Sequence, residues 1–118
     1  MANINPLRGE VWNVRFDPSV GAEIQKVRPA VVISEDAIGK LPLKIIVPIT
    51  DWKSAYGQVP WLVRIQLDAV NGLRKESGAD AFQCKSVSTN RFVKHLGRLS
   101  ATEVEDIASA IGICIGVQ

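Results

Sequence analysis

Apolar and polar positions alternate from Arg8 to Phe16, with Trp12, Val14 and Phe16 on one face and Asn13 and Arg15 on the other, the two-residue period of a half-buried strand. The turn-forming Asp17-Pro18-Ser19-Val20-Gly21 follows, and the loop runs on to Lys26 before an apolar run from Pro29 to Ser34 predicts a second strand. Ile45-Ile46-Val47-Pro48-Ile49 is apolar at both parities, as in a strand buried on both faces. Pro48 has no N–H to give a ladder, which predicts a bulge or local edge just before Thr50. Trp52 to Gln58 reads as a loop, and Val59, Trp61, Val63, Ile65 and Leu67 then alternate with Arg64 and Gln66 as another strand.

Asp68 to Gly78 holds Asn71-Gly72 and Ser77-Gly78 and reads as a turn-rich connection. Ala81 to Val87 returns to strand character, Ser88 to Arg91 suits a single helical turn, and Leu96 to Leu99 a short last strand. Ser100-Ala101-Thr102-Glu103 matches a capping box, and Val104, Ile107, Ala108, Ile111 and Ile115 keep helical spacing behind it. About six strands and one terminal helix, without alternating βα units, predict a mostly β chain: an antiparallel, barrel-like core capped by a C-terminal helix. One domain over residues 1–118 is expected.

Composition adds little that is specific until charge is placed along the chain. All fourteen Lys and Arg lie between Arg8 and Arg98 against nine of the twelve acids, so the body before residue 100 carries +5, which favours an anionic partner. No stretch nears the length of a membrane span, and Met1 to Pro6 lacks the features of an export signal, so a cytoplasmic protein without membrane contact is expected. Cys84 and Cys114 have no CxxC spacing and read as buried thiols. With one histidine, His95, neither a zinc set nor a two-histidine acid/base pair can be built, and P-loop, GxGxxG, GxSxG and HExxH motifs are absent. No metal or cofactor is expected.

Candidate chemistry gathers around the loop and strand at residues 21–33. Arg28 precedes Pro29, so its backbone is driven extended and its side chain is held at a strand mouth. On that segment alone it would be an ordinary solvated arginine. Loops as long as the one before it tend to carry function, which makes Glu23, Gln25 and Lys26 candidate ligand contacts. Trp12 and Trp61 lie in alternating strands and read as core, whereas Trp52, next to Lys53 in a polar loop, is the better stacking surface for a base.

Taken together, Arg8-Gly9-Glu10-Val11-Trp12, Phe16-Asp17-Pro18, Gly21-Ala22-Glu23, Arg28-Pro29-Ala30-Val31-Val32-Ile33 and Val47-Pro48-Ile49-Thr50 resemble the successive motifs of the MazF/PemK family of toxin endoribonucleases. Gly72-Leu73, Ser77-Gly78, Gln83, Asn90-Arg91-Phe92 and Leu96 to Ser100 extend the resemblance over nearly the whole chain. The resemblance implies an SH3-like β-barrel with helical additions, a homodimer, a cognate MazE-like antitoxin, and metal-independent, sequence-specific cleavage of single-stranded RNA. It also implies that the arginine of the Arg-Pro motif and the threonine after the buried strand do the cleavage, here Arg28 and Thr50. Two departures stand out: Gly-Ala-Glu replaces the family's common Gly-Ser-Glu, and Asp51, itself a candidate RNA contact, puts a carboxylate next to Thr50, where a small polar residue is usual.

The chemistry of the residues agrees. RNA brings its own nucleophile, the 2′-hydroxyl, so the protein needs to orient the scissile phosphate and stabilise charge on its oxygens. A guanidinium offers bidentate donors for phosphate and a threonine hydroxyl one more, while arginine is a poor proton acceptor, which favours charge stabilisation over base catalysis for Arg28 and leaves proton transfer as the alternative. Glu23 and Gln83 are candidates for base or sugar contacts, and Lys26, Lys53 and Lys85 for phosphates. The competing readings are a CcdB-like gyrase inhibitor on the same fold, which relies on a C-terminal aromatic residue where this sequence ends Ile115-Gly116-Val117-Gln118, and a nucleic-acid-binding module without nuclease activity.

Overall fold

A computed structural model describes residues 4–117; Met1 to Asn3, where the export reading begins, and Gln118, the last residue of the terminal segment weighed against the CcdB-like reading, lie outside the described residues. Seven strands, all paired antiparallel, form one sheet: β1 (Glu10–Arg15), β2 (Val27–Val32), β3 (Leu43–Asp51), β4 (Leu62–Ile65), β5 (Ser77–Asp80), β6 (Lys85–Ser88) and β7 (Phe92–Arg98). The order β4-β5-β3-β2-β1-β7 runs from edge to edge, with β6 beside β3, so the barrel-like core is an open path of strands. A C-terminal helix, α1 (Ala101–Ile115), covers it.

Alternation decides which face each side chain meets. Val14, Phe16, Ala30, Val32, Ile46, Val87 and Phe92 form one buried cluster, with Trp12 packed against it, as the period of β1 predicts. Val11, Val31, Ile33, Val47, Ile49, Ile65 and Ala79 form a second cluster, closed by Val104 and Ile107 of α1. The sheet is therefore buried on both faces, which is why residues 31–33 and 46–49 are apolar at both parities; Ile45, expected in the same buried run, lies before it and is 40% exposed.

Pro48 does mark an irregularity. On one edge of β3, pairing to β6 ends at Ile46↔Lys85 and pairing to β5 begins at Ile49↔Ala79. Pro48 falls in that gap, where its missing N–H breaks no continuous ladder.

The helix starts at the predicted capping box: the Glu103 N–H donates to Ser100 Oγ at 3.2 Å, and the Ser100 N–H donates to Glu103 Oε1 at 2.9 Å. It stops at Gly116, whose φ of 79° lets the Val117 N–H donate to the Gly112 carbonyl at 2.7 Å. Val104, Ile107 and Ala110 are buried, but Ile115 is 70% exposed. Its helical phase is right, yet the last turn reaches past the surface that the earlier turns pack on.

Three other expectations change. Ser77-Gly78 is the start of β5 and not a turn, because Gly78 leaves room for Trp52: a Cβ there would lie 3.2 Å from the indole. Ala81–Gln83 is a single 3-10 turn rather than strand, capped by the Asp80 carboxylate accepting from the Phe82 N–H at 3.2 Å. Cys84 and Cys114 are half-buried, not buried.

Candidate active site

β2 and β3 bring Arg28 and Thr50 to one cleft of about 390 Å³. Arg28 sits at the start of β2 opposite Val14, exposed and extended ahead of Pro29. Thr50 is half-buried near the end of β3, opposite Gly78, and Asp51 follows it opposite Ser77. Asn13, Arg74, Lys75, Ser77 and Lys94 complete the polar lining. Four cations and one carboxylate share the cleft, so its formal charge is strongly positive.

The wall carrying Arg74 and Lys75 is a braced loop. Asp68 Oδ1 accepts from the N–H groups of Val70 and Asn71 at 2.7 and 2.8 Å. The fully buried Asn71 accepts from the N–H of Asp68 at 3.3 Å and of Leu73 at 3.1 Å, and its amide donates to the Gln66 carbonyl at 2.9 Å. The Arg98 N–H donates to the Val70 carbonyl at 3.1 Å, tying the loop to β7. The turn signal in this stretch is real, and its hydrogen bonds make it a fixed wall. Within the cleft, Lys75 Nζ lies 3.0 Å from Asp51 Oδ2.

A second cleft, of about 240 Å³, is lined by Glu23, Gln83 and Lys85 with Phe16, Ile24, Pro48, Phe82 and Cys84. Here the Gln83 amide is a tie: its Oε1 accepts from the Ile24 N–H at 2.7 Å and its Nε2 donates to Asp80 Oδ2 at 3.1 Å. The Glu23 carboxylate accepts from the Val20 N–H and closes its own loop. Burial pushes the Cys84 thiol above its ordinary pKa, with the Cys114 sulfur adding to the effect; burial, then Asp80, raises Cys114.

The residues singled out in the sequence thus divide. Arg28, Thr50 and Asp51 share the first cleft, and Glu23, Gln83 and Lys85 the second. Gln25, Lys26 and Lys53 are exposed and line neither, although Lys26 is held at a φ of 64° while its carbonyl accepts from the Phe16 N–H at 2.8 Å. Trp52 is half-buried and already engaged: the Arg64 guanidinium stands 5.1 Å over its ring, Tyr56 meets it edge-on, and Gly78 lies against it. Sequence reasoning missed Arg74, Lys75 and Lys94. The adjacent pair Arg74-Lys75 just after Gly72-Leu73 was the available signal, while Lys94 reaches the cleft only through the pairing Asn13↔Lys94. Among the described residues no cluster of three or more His, Cys, Asp or Glu is placed to hold a metal, and no helix is long and apolar enough to cross a membrane.

Fold and cleft together define a small antiparallel β protein with a cationic groove. Residues 7–115 match the family described as PemK-like, MazF-like toxins of type II toxin-antitoxin systems, and the chain belongs to that family. It is 33% identical over 111 residues to the endoribonuclease MazF9 of Mycobacterium tuberculosis, covering 88% of this chain and 91% of that protein. The crystal structure of MazF from Deinococcus radiodurans superposes with a TM-score of 0.78 at 23% identity, covering 98% of this chain and 100% of that one. A MazE-MazF crystal structure from the same organism gives a TM-score of 0.69 at 23% identity over 98% and 100% of the two chains.

Proposed function

We propose that this toxin is an endoribonuclease that cuts single-stranded RNA, messenger RNA in the cytoplasm above all, at the cleft holding Arg28 and Thr50. The observation that carries this reading is that these two residues, from different strands, line one groove with Arg74, Lys75 and Lys94. Its relative MazF9 is named an endoribonuclease, which supports the same activity here.

In this mechanism the substrate's 2′-oxygen attacks the adjacent phosphorus as its proton departs, the bond from phosphorus to the 5′-oxygen breaks, and that oxygen takes up a proton. The products are a 2′,3′-cyclic phosphate and a 5′-hydroxyl. Arg28 stabilises the charge that grows on the phosphoryl oxygens, and the Thr50 hydroxyl donates to one of them. The half-buried strand position of Thr50 gives its hydroxyl little freedom, while the extended Arg28 can close on the phosphate. Since the 2′-hydroxyl is internal to the substrate, the cleavage needs no metal-bound water.

The second cleft suits a base or sugar beside Glu23 and Lys85, with Gln83 holding its loop. Lys26, Gln25, Lys53 and Trp52 border the two clefts in sequence and are assigned to outer RNA contacts. The chain works as a homodimer and is silenced by a MazE-like antitoxin, whose acidic segment covers the cationic groove; the MazE-MazF structure from Deinococcus radiodurans supports such a partner.

The test is cleavage of a long single-stranded RNA in EDTA, with the cut sites and the product ends mapped. Wild-type chain is expected to cut at a short recurring sequence, and Arg28→Ala and Thr50→Ala to leave nearly uncut RNA. Loss of wild-type cleavage in EDTA would overturn the mechanism, and gyrase inhibition without RNA cleavage would replace it.

A further inference from the structure

Of the four cations in the active-site cleft, Lys75 is the one that is paired to a carboxylate among the described residues; Arg28, Arg74 and Lys94 form no such pair. The pair is built by the fold. Asp51 is set opposite Ser77 in the β3–β5 ladder, and the Ser77 hydroxyl donates to the Lys75 carbonyl at 2.9 Å, which fixes the backbone from which the lysine reaches back. The braced loop around Asn71 fixes the other side. Both side chains are nonetheless open to water, 68% for Lys75 and 59% for Asp51. An ion pair so exposed adds little stability and exchanges partners readily.

Resting on the endoribonuclease reading, we propose that Lys75 is an RNA-phosphate-binding residue held in reserve by Asp51, and that bound RNA takes the lysine over. Before binding, Asp51 keeps the ammonium group positioned in the groove instead of free to roam in solvent. On binding, a phosphate oxygen replaces the carboxylate as its partner, and Asp51, already exposed, turns to water at small cost. The carboxylate beside Thr50 is thus tolerable next to a phosphate because its charge is matched until the substrate arrives. It also lowers net affinity, since RNA must compete with it for Lys75. Asp51 is a positioning residue in this scheme and touches no reacting atom.

The experiment measures binding of a 2′-O-methyl copy of an RNA that the wild-type chain cleaves, which cannot react, across a range of salt concentrations. Lys75→Met is expected to weaken binding about fivefold and to lower the slope of log affinity against log salt by about 0.7, the value for one lost phosphate contact on a single strand. Asp51→Asn is expected to tighten binding a few fold with the slope unchanged. The double variant separates two accounts of the lysine: because Asp51 acts by competing for Lys75, the double variant should bind more weakly than Asp51→Asn by more than the roughly fivefold lost in the wild-type background, with the slope still lowered. A double variant equal to Asp51→Asn would mean that Lys75 only masks Asp51 and would overturn the proposal, as would a slope that Lys75→Met leaves unmoved. A wild-type chain that neither binds nor cuts RNA overturns the parent reading and the exchange with it, a result distinct from cleavage that proceeds with an unmoved slope.

Discussion

Gly72 and Leu96 meet backbone to backbone: a Cβ on Gly72 would stand 2.2 Å from the Leu96 carbonyl oxygen, and the glycine's φ is 71°. This contact presses the wall of the cleft onto β7, and it tolerates no side chain. Gly72→Ala is expected to destabilise the fold by about 2–4 kcal/mol, combining the left-handed conformation with overpacking against rigid backbone. Urea denaturation measures it; a loss below about 1 kcal/mol would mean that the loop is not pinned there.

Asn71 should matter as much without touching substrate. Its buried amide serves the N–H groups of Asp68 and Leu73 and the carbonyl of Gln66, so Asn71→Ala leaves three backbone groups in search of partners. A cost of about 2–3 kcal/mol is expected, at about 1 kcal/mol per lost bond. RNA cleavage should fall as well, because Arg74 and Lys75 lose their support; intact activity at temperatures where the variant stays folded would refute that link.

Arg28 presents the opposite case. It is exposed, and no hydrogen bond or ion pair of its side chain is found among the described residues. Arg28→Ala should therefore change unfolding free energy by no more than about 0.5 kcal/mol while lowering the cleavage rate at least about 100-fold. Comparable losses of stability and activity would point to a structural arginine.

The two thiols give a pH signature. Burial raises both above the ordinary thiol range, so on unfolding they become stronger acids. Above that range the unfolded chain has shed protons that the native chain still holds, and stability falls as pH rises; below it the thiols are neutral in both states and contribute no slope. Replacing Cys84 and Cys114 with Ala should flatten the alkaline decline in denaturation midpoints between about pH 8 and 10. The same burial predicts slow labelling by a thiol reagent at pH 7.5 relative to free cysteine.

Local pattern made much of this legible. The face of β1 carrying Trp12 and Val14 and continued by Phe16, the doubly buried run from Ile46 to Ile49 in β3, the break at Pro48 and the capping box at Ser100 each depend on neighbours within a few residues. What escaped depends on distant ones. Ser77-Gly78 carries turn residues, yet the glycine is needed in a strand because Trp52 packs on it. Ala81–Gln83 reads as strand by composition, but the Asp80 carboxylate takes a backbone N–H and starts a turn. In the site, Arg28 and Thr50 carried a motif, whereas Arg74, Lys75 and Lys94 become neighbours of that pair only through strand register and the Asn71 brace.

Thr50 and Arg28 rest on unlike supports. β3 is flanked by β2 on one edge and by β6 and then β5 on the other, and Thr50 itself is laddered to Gly78. Arg28 likewise has one ladder partner, Val14, since β2 joins β3 only from Ala30 onward, but it is exposed and only Val27 separates it from the long loop ending at Lys26, whereas Thr50 is half-buried inside the nine-residue β3. The cleft is a vice with one fixed jaw and one yielding jaw. Amide exchange should therefore be slow at Ile49 to Asp51 and fast from Gly21 to Lys26 apart from the hydrogen-bonded N–H groups of Glu23 and Ile24, with RNA slowing the second stretch alone. Under the proposed cleavage, a toxin arranged this way would sample different sequences with its arginine side while presenting each phosphate to the same hydroxyl.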